Sequence, residues 1–395
     1  MGGFGPIKRL VFWQNMPSHH QSGVLAALAR NHGYEVVWAV QEGLSGERAA
    51  MGWPEFADSG VTLVESPETA QAEALLSGRF DETLHIAGGI FGVPLARSAF
   101  FTGMRKGCRF ALMNETPLPK GMEAAGGRSL ANRVLGGLQP AAQRVVRARY
   151  GRQVLFVLAI GAMAEEAYRV FGWGEKVFPY GYFPAGPGEG FRAKTAAEPF
   201  TILYLGQFSH RKGADVLVQA LAQVSGQGWR AELYGAGELE GDCRAMAGQI
   251  KGGVVEIHDF LPWSEAMARL ETASLVVVPS RHDGWGAVVG EALMRGVPVV
   301  ATDQTGSQVL VRGSQPERGA VAKAESVPDL ARILDSWIQR GPMPLERREA
   351  IAGWAKCLEP RNAADYLDQV IRWSQGGARP NSPWEPAPET SQPER

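Results

Sequence analysis

Short apolar runs without polar alternation recur along the chain, and each leads into a turn rich in glycine or polar residues. The clearest run covers residues 275–278, is stopped by Pro279 and leads into the glycine-rich turn 283–286. A stretch suited to a short helix follows and ends at Gly296, and residues 297–301 form the next apolar run. Strands without alternation are buried on both faces, so this order predicts a parallel sheet with helices on both sides.

The same order of strand, loop and helix opens both halves of the chain, at residues 7–33 and 200–224. A length of 395 residues favours two or three domains, and the Gly/Pro-rich run 184–190 marks a boundary. We therefore predict an α/β protein with two doubly wound, Rossmann-like domains, followed by a helix and a disordered tail rich in Pro, Ser, Glu and Gln. The predicted units are residues 1–190, 191–360, 361–375 and 376–395.

The composition narrows the class of protein. A formal net charge of −1 gives no average preference for a polyanionic partner. Three widely spaced cysteines without a CxxC pair favour a reducing compartment over a disulfide scaffold or a zinc site. The N-terminus lacks the apolar segment of a signal peptide, and no uncharged run approaches the roughly 18–20 residues of a membrane span. We therefore expect a cytoplasmic protein.

A string of residues around the glycine-rich turn matches a known motif. The matching residues are Pro279, Ser280, Asp283, Gly284, Trp285, Gly286, Glu291 and Ala292. They resemble the P-S-x-x-E-G-F-G-x-x-x-x-E-A signature of retaining glycosyltransferases of family 4, the group 1 transferases of the GT-B fold, whose two doubly wound domains face each other across a cleft. The resemblance implies that Asp283, one methylene shorter than the family's Glu, positions the donor sugar and that Glu291 binds the ribose. It also implies that the helix at 361–375 crosses back to the first domain. The alternative is an ordinary helix whose exposed face carries Glu291.

A second motif follows the strand at 200–206. The segment Gly206 to Gly213 resembles the family's G-R-x-x-x-x-K-G, in which Arg and Lys hold the donor diphosphate. Lys212 occupies the lysine position, Gln207 replaces the arginine, and Arg211 offers a neighbouring charge. Cations suit this position because the leaving nucleoside diphosphate gains negative charge. A surface lysine at a helix start is the alternative, but a helix N-terminus is already positive.

Further donor contacts are expected from the backbone. The amides of Gly286 and Ala287, and those of Gly306 and Ser307, are candidates to bind phosphate or sugar. Leu261 lies in a segment whose backbone contacts the nucleobase in the family that the chain resembles.

Three positions are candidates for the acceptor side. His19 and His20 lie in the first loop, where the family has a glycine pair, and Glu115 lies at a strand end. His85 resembles the first histidine of the family's H-x-H-G strand end, and we predict that it touches the sugar or the acceptor hydroxyl. A solvated loop for the first pair and a hydrogen-bonded structural residue for His85 are the alternatives.

The stretch from Arg97 to Arg152 is strongly basic, with eleven basic residues against Glu115 and Glu123. Apolar residues are interleaved, which favours an anionic membrane surface at about 1 kcal/mol per basic residue near lipid. A solvated helix face and an anionic acceptor are the alternatives. Binding of nucleic acid is not expected, because no accompanying motif is present.

The family resemblance implies a retaining glycosyltransferase, and the cations near Lys212 together with the lack of an Asp-x-Asp segment at a strand end favour one without a metal or a cofactor. Its expected donor is a UDP- or GDP-linked sugar, and its expected acceptor is a glycan or a lipid-linked molecule in surface polysaccharide or glycolipid biosynthesis. The expected location is the cytoplasm, with peripheral attachment to the inner face of the membrane. A GT-B sugar-nucleotide epimerase, a glycosidase and a catalytically idle binding scaffold remain as alternatives.

Overall fold

Two parallel β-sheets organise the protein, one in each half of the chain. The computed structural model describes residues 5–43, 60–115, 130–188, 191–313 and 316–385. The strands of the first sheet are β1 (Arg9–Gln14), β2 (Glu35–Val40), β3 (Val61–Glu65), β4 (Thr83–Gly88), β5 (Arg109–Glu115), β6 (Val154–Ile160) and β7 (Val177–Tyr180). Helices α1 (His19–His32), α2 (Thr69–Ser77), α3 (Pro94–Lys106), α4 (Leu130–Tyr150) and α5 (Ala162–Val170) accompany it.

The first sheet is doubly wound, with the strand order β3-β2-β1-β4-β5-β6-β7 and parallel pairing throughout. All six residues of β1 are buried, which explains why its sequence shows no polar alternation. Leu10 and Phe12 pack into the core on one face, whereas Val11 and Trp13 pack into a separate cluster on the other. Helices therefore cover both faces, as the sequence predicts.

The second sheet repeats this arrangement with the strand order β10-β9-β8-β11-β12-β13. Its strands are β8 (Thr201–Leu205), β9 (Trp229–Tyr234), β10 (Gly253–His258), β11 (Leu275–Val278), β12 (Val299–Thr302) and β13 (Gly319–Ala322). Its helices are α6 (Ala214–Leu221), α7 (Glu240–Ala247), α8 (Trp263–Thr272), α9 (Ala287–Leu293), α10 (Gln308–Val311), α11 (Val327–Arg340) and α12 (Leu345–Ala355). The predicted architecture of two doubly wound α/β domains is confirmed.

The last helix, α13 (Pro360–Trp373), packs against the first domain. Tyr34 donates a hydrogen bond to Asp368 at 2.8 Å, and Tyr366 donates one to the Pro179 carbonyl at 3.0 Å. Gly23 on α1 faces Pro360 with no room for a side chain. The chain thus returns from the second domain to the first, as the family resemblance implies.

Residues after α13 continue along the first domain. The Arg379 guanidinium donates to the Val177 carbonyl at 2.7 Å and lies 4.1 Å from the ring centre of Phe178. The Trp384 ring lies 6.3 Å from Phe183 and 5.8 Å from Trp285, which follows β11. Disorder was predicted from residue 376 onward, and the structure differs from this up to residue 385. Aromatic and cationic contacts, which a compositional argument ignores, hold this segment in place.

The carboxyl ends of the two sheets face each other. Gly161, after β6, lies so close to Gly284 and Gly306 that a Cβ on Gly161 would meet the Gly284 carbonyl at 2.4 Å. The amide of Ala162 donates to the Gly306 carbonyl at 3.0 Å, which joins the two domains at this point. Within the residues that the structure describes, no helix combines the length and apolar character needed to cross a membrane.

Candidate active site in the interdomain cleft

A cleft of about 560 Å³ lies between the carboxyl ends of the two sheets. The first domain contributes residues from the ends of β1, β4 and β5, and the second contributes Lys212, Asp283, Gly286 and Ala287. These last four residues also line an adjoining cavity of about 210 Å³ inside the second domain. This is the edge at which open parallel sheets bind their ligands.

Lys212 and Asp283 form an ion pair at the junction of the two cavities. The Lys212 ammonium lies 2.6 Å from an Asp283 carboxylate oxygen, and both side chains are largely buried. Asp283 is held after β11 by a bridge to Thr305. Burial alone would raise the pKa of Asp283, but the Lys212 charge and hydrogen bond hold that pKa below its usual value. The carboxylate is therefore ionised at neutral pH.

The loop that carries Lys212 is fixed from two sides. Gly213 has φ +71°, and a Cβ there would lie 2.2 Å from the Pro279 carbonyl, so only glycine suits the position. Arg281 donates to the His210 carbonyl at 2.8 Å and forms a bidentate pair with Asp215 at 2.7 and 2.8 Å. Lys212 is therefore attached to a loop that is held against the end of β11.

The two neighbouring candidates for diphosphate binding differ in position. The Arg211 guanidinium lies 3.4 Å from the His282 carbonyl and contributes its charge to the surroundings of Asp283. Gln207 is exposed, lines neither cavity, and uses its carbonyl to accept a hydrogen bond from Tyr204. The structure thus brings Arg211, but not the Gln207 side chain, close to the paired residues.

Glu291 lies on α9 and is buried behind the cleft wall. Its carboxylate is 3.3 Å from the Nε2 atom of His20, which lines the cleft. Burial would raise the pKa of Glu291, but the hydrogen bond and charge of His20 lower it below its usual value. Glu291 does not itself line the cavity that contains Lys212 and Asp283. Its connection to the cleft runs through His20.

The two histidines proposed for the acceptor side lie at the junction of the two domains. The His19 ring is buried, lies 3.7 Å from the His20 ring, and meets the edge of Trp263 at 5.8 Å. Trp263 begins α8 of the second domain, so α1 reaches across the domain junction. Both histidines therefore lie beside Glu291, the predicted donor residue, and His20 also lines the cleft, so their acceptor role stays a prediction.

His19, His20 and Glu291 also form a group with metal-ligand chemistry, since their ligand atoms lie within 4.8 Å of one another. Among the described residues, no other group of three or more His, Cys, Asp or Glu side chains has its ligand atoms this close together. The hydrogen bond between His20 and Glu291 explains the proximity without an ion.

The predicted backbone donors divide into two sets. The amides of Gly306 and Ser307 donate to the carbonyls of Asp283 at 2.9 Å and Trp285 at 2.8 Å. These amides stabilise the loop after β11, so the prediction that they bind a ligand is wrong for this arrangement. Gly286 and Ala287, by contrast, line both cavities. Leu261 is partly buried between β10 and α8 and lines neither cavity.

Glu115 lies at the end of β5 and lines the cleft on the side of the first domain. Its carboxylate accepts a hydrogen bond from the Tyr182 hydroxyl and occupies the space above Gly284, where a Cβ would lie 2.1 Å from it. Glu115 stays exposed to the cleft, and the partial loss of water around its carboxylate, together with the nearby charge of Asp283, raises its pKa. Glu115 therefore adjoins Asp283, as an acceptor-side residue would.

His85 does not reach the cleft, so its predicted contact with sugar is wrong. The histidine lies in the middle of β4, which extends to Gly88, and its side chain is 1% exposed. Its Nδ1 accepts a hydrogen bond from Trp13 at 3.2 Å, and its ring stacks on Phe110. Burial lowers the pKa of His85 to about 3. It is a neutral core residue.

The described basic side chains between Arg97 and Arg152 do not line the cleft, although Glu115 and Gln143 of the same stretch do. Arg109 is buried and donates to the carbonyls of Gly5 and Asp81, which makes it structural. Arg144 and Arg149 on α4 are exposed beside Val145, whose exposed fraction is 65%. Lys120, Glu123 and Arg128 lie outside the described residues.

Sequence reasoning missed the polar wall opposite Lys212. Gln14, Asn114, Gln143 and Tyr168 line the cleft there. The first two follow the strand-end pattern, but Gln143 and Tyr168 come from helices α4 and α5. No local motif marks them, because only the packing of these helices brings them to the cleft.

Part of the chain is similar in sequence to known glycosyltransferases. The model of the family described as glycosyl transferases group 1 matches residues 189–354. The chain is 29% identical over 154 residues to the colanic acid biosynthesis glycosyltransferase WcaL of Escherichia coli K12, a match that covers 35% of this chain and 38% of that protein. It is 29% identical over 203 residues to D-inositol 3-phosphate glycosyltransferase 1 of Catenulispora acidiphila, which covers 46% of each. The chain thus spans less than half the length of these curated relatives.

The fold extends over a larger share of the chain than the sequence match. The structure of Anabaena Alr3699/HepE in complex with UDP superposes with a TM-score of 0.60 at 15% identity, covering 92% of this chain and 100% of that one. At this identity the likeness establishes the fold. The protein therefore has the GT-B fold, and residues 189–354 of its second half are similar to the glycosyl transferases group 1.

Proposed function

We propose that the protein is a retaining glycosyltransferase that moves a sugar from a nucleoside diphosphate to an acceptor hydroxyl. The observation that carries the proposal is the buried Lys212–Asp283 pair, which lies where a cleft between two parallel sheets meets a cavity inside a group 1 domain. A cation and a carboxylate at this point supply the groups that an activated sugar requires, since one binds its diphosphate and the other its hydroxyls.

In this proposal the donor lies across both cavities. Lys212 and Arg211 bind the diphosphate, Asp283 positions the sugar, and Glu291 binds the ribose. Because His20 now holds the Glu291 carboxylate at 3.3 Å, ribose would exchange with His20 as the partner of Glu291. Amides at Gly286 and Ala287 add hydrogen bonds to the phosphate.

The transfer step needs positioning and electrostatic stabilisation more than an enzymic nucleophile. The acceptor oxygen attacks the anomeric carbon on the face from which the diphosphate departs, so configuration is retained. The bond from the anomeric carbon to the phosphate oxygen breaks with its electron pair, and that oxygen takes the acceptor's hydroxyl proton. Lys212 and Arg211 stabilise the departing charge.

The same cations make a metal ion unnecessary in this proposal. A divalent ion would otherwise bridge the phosphate oxygens and neutralise their charge. We therefore expect that EDTA leaves the initial rate unchanged, and that a rate restored only by Mg²⁺ or Mn²⁺ contradicts metal independence.

A glycan or lipid-linked acceptor is the proposed second substrate, in surface polysaccharide or glycolipid biosynthesis. The relative WcaL is named for colanic acid biosynthesis, which supports this context. The exposed Arg144 and Arg149 beside Val145 support a peripheral location on an anionic inner membrane face.

A thermal-shift screen with UDP, GDP and ADP tests nucleotide binding, because a ligand of the folded state raises the melting temperature. Labelled nucleotide sugars then test the reaction with and without candidate acceptors. Diphosphate release that depends on an acceptor supports transfer. Conversion without an acceptor indicates the epimerase alternative. If the protein neither binds a nucleotide nor turns over a nucleotide sugar, the proposal is contradicted.

A further inference from the structure

The first-domain wall of the cleft, opposite Lys212, is built from amide and phenol side chains. Asn114 and Gln143 are 8% and 2% exposed, and both line the cleft. Asn114 accepts a hydrogen bond from the Gly89 amide at 2.6 Å, and Gln143 donates one to the Tyr168 hydroxyl at 3.2 Å. These bonds fix the orientation of both amides, so the wall is a formed surface.

Hydrogen-bonding capacity remains on this wall. Among the described residues, the oxygens Oε1 of Gln143 and of Gln21, both in the lining of the cleft, have no hydrogen-bond partner in the protein, whereas the Asn114 amide interacts with the Tyr168 hydroxyl. Buried polar atoms are paired in nearly all proteins, because an unpaired one loses its contact with water without compensation. Spare acceptors in a lining that also holds amide and phenol donors therefore indicate a ligand that both donates and accepts hydrogen bonds, as hydroxyl groups do.

The wall carries no cation for an anionic ligand. The titratable side chains that line the cleft within the described ranges are His20, Glu115, Tyr168, Tyr182, Lys212 and Asp283. Lys212 is paired with Asp283, and His20 contacts Glu291. Burial raises the pKa of Tyr168, so its phenol is uncharged at neutral pH. A phosphate or carboxylate on this wall would be buried without an opposite charge, which is strongly unfavourable.

Apolar groups complete the surface. Phe91, Val93 and Met113 line the same side of the cleft. Sugar rings present C–H groups on one face and hydroxyls at the rim, which matches an apolar patch beside amides. A small neutral polyol without such a face would leave the patch uncovered.

We propose that the amide wall of Gln21, Asn114, Gln143 and Tyr168 is the acceptor subsite and that it selects an uncharged sugar ring with adjacent hydroxyls. This rests on the proposed function and adds the acceptor's chemical class to it. An acceptor with a charged lipid carrier binds here through its terminal neutral sugar, and its carrier lies outside the wall.

Direct binding tests the proposal without a donor. Saturation-transfer NMR is recorded with methyl hexopyranosides, the matching hexuronic acids and the hexose 6-phosphates. We expect at least one neutral glycoside to bind and the charged sugars to bind roughly tenfold more weakly or not at all. Preferential binding of a charged sugar, or no binding by any neutral glycoside, overturns the proposal.

Variants locate the binding. Gln143→Glu changes an amide to a carboxylate with little change of shape, and Gln143→Met removes the hydrogen bonds while keeping the length of the side chain. Each substitution should weaken binding of the neutral glycoside roughly tenfold. The matched control is Gln153→Glu, since Gln153 lies in the same domain and bonds to the Met104 carbonyl away from the cleft. Equal binding by the Gln143 variants and the control overturns the assignment.

Failure of this inference is separable from failure of the proposed function. The nucleotide thermal-shift screen tests donor binding, which does not use the amide wall. If a nucleoside diphosphate binds and turns over but only charged acceptors react, the function holds and the neutral subsite is wrong. If no nucleotide binds, the function fails, and the NMR result still decides whether the wall binds neutral sugars.

Discussion

At the scale of single residues, the Lys212 ammonium has one partner now and a competing one in the proposed reaction. Asp283 holds it at 2.6 Å in a largely buried pair. A diphosphate would offer a larger negative charge at the same place, and its binding would release the Asp283 carboxylate to accept sugar hydroxyls. The pair thus keeps both groups charged and oriented before the donor arrives.

Lys212→Ala tests this role. We expect the rate of nucleoside diphosphate release to fall by a factor on the order of 10²–10³, as when a charge-stabilising donor is lost from other active sites. Lys251→Ala is the control, since Lys251 is exposed on the same domain and lines neither cavity. Stopped-flow or coupled assays measure both. A Lys212→Ala rate within about twofold of the control contradicts the assignment.

The ionisation of Glu291 predicts how stability depends on pH. Its pKa is lowered in the folded protein by His20, so the folded state resists protonation more than the unfolded chain does. The resulting stabilisation is present above the ordinary glutamate pKa of 4.5 and is lost as pH falls through the lower folded value. Asp283 adds a contribution of the same sign.

Glu291→Gln should therefore make the acid-side decline shallower. Urea unfolding between pH 7 and pH 3 gives the free energy of unfolding for both proteins. The variant is expected to be less stable at pH 7, where it lacks the carboxylate charge beside His20, and closer to wild type at pH 3. Parallel curves would show that Glu291 does not cause the decline.

At the scale of elements, the position of Lys212 depends on how closely its loop approaches β11. Gly213 permits that approach, because its φ of +71° and its contact with the Pro279 carbonyl both exclude a side chain. Gly213→Ala should lower the free energy of unfolding by about 1–3 kcal/mol and should also lower the rate by displacing Lys212. Thermal and urea unfolding, with the transfer assay, measure the two effects.

Gly241→Ala is the matched control for this change. Gly241 lies in α7 and has open space around its Cα, so alanine there should stabilise the helix by up to about 1 kcal/mol. Equal effects of the two substitutions would contradict the close approach at Gly213.

Most strands and helices can be predicted from the sequence, because buried parallel strands form unbroken apolar runs and glycines often follow their ends. The limits lie in strand boundaries and in contacts between distant elements. His85 was assigned to the site by its resemblance to the family's H-x-H-G strand end, whereas it lies in the middle of β4, which continues to Gly88. Gln143 and Tyr168 meet across two helices, and no spacing in the sequence encodes that contact.

At the scale of the whole molecule, the C-terminal segment connects the two domains. Trp384 lies between Phe183 and Trp285, and Trp285 belongs to the loop that carries Asp283. Gly181 supports Trp285 from another side, where a Cβ would lie 2.4 Å from the ring. The aromatic contacts therefore hold the donor loop against the first domain.

Trp384→Ala should loosen that loop. We expect the free energy of unfolding to fall by about 1–3 kcal/mol for loss of a partly buried aromatic side chain, and the affinity for nucleotide to fall with it. Gln375→Ala is the control, since Gln375 is exposed just after α13. Urea unfolding and nucleotide-dependent thermal shifts test both. If the free energy of unfolding and the nucleotide affinity of Trp384→Ala equal those of the wild type, the Trp384 contacts do not stabilise the loop.

The proposed attachment of α4 to a membrane surface gives the last prediction. Arg144, Val145 and Arg149 are exposed on α4, whereas Arg147 donates to the Gly172 carbonyl at 3.0 Å and lies over Trp173. The first two arginines are therefore available to anionic lipid, and reversal of Arg147 would disturb packing instead. Each basic residue near an anionic surface contributes about 1 kcal/mol.

Arg144→Glu combined with Arg149→Glu should thus weaken binding to vesicles of phosphatidylglycerol and phosphatidylethanolamine at least roughly tenfold. Arg332→Glu combined with Arg347→Glu changes the net charge equally at exposed sites of the second domain and should leave binding near the wild-type level. Co-sedimentation at low and at high salt separates the electrostatic part, because salt screens it. If both double variants lose vesicle binding equally, the effect comes from net charge alone, and α4 is not the docking face.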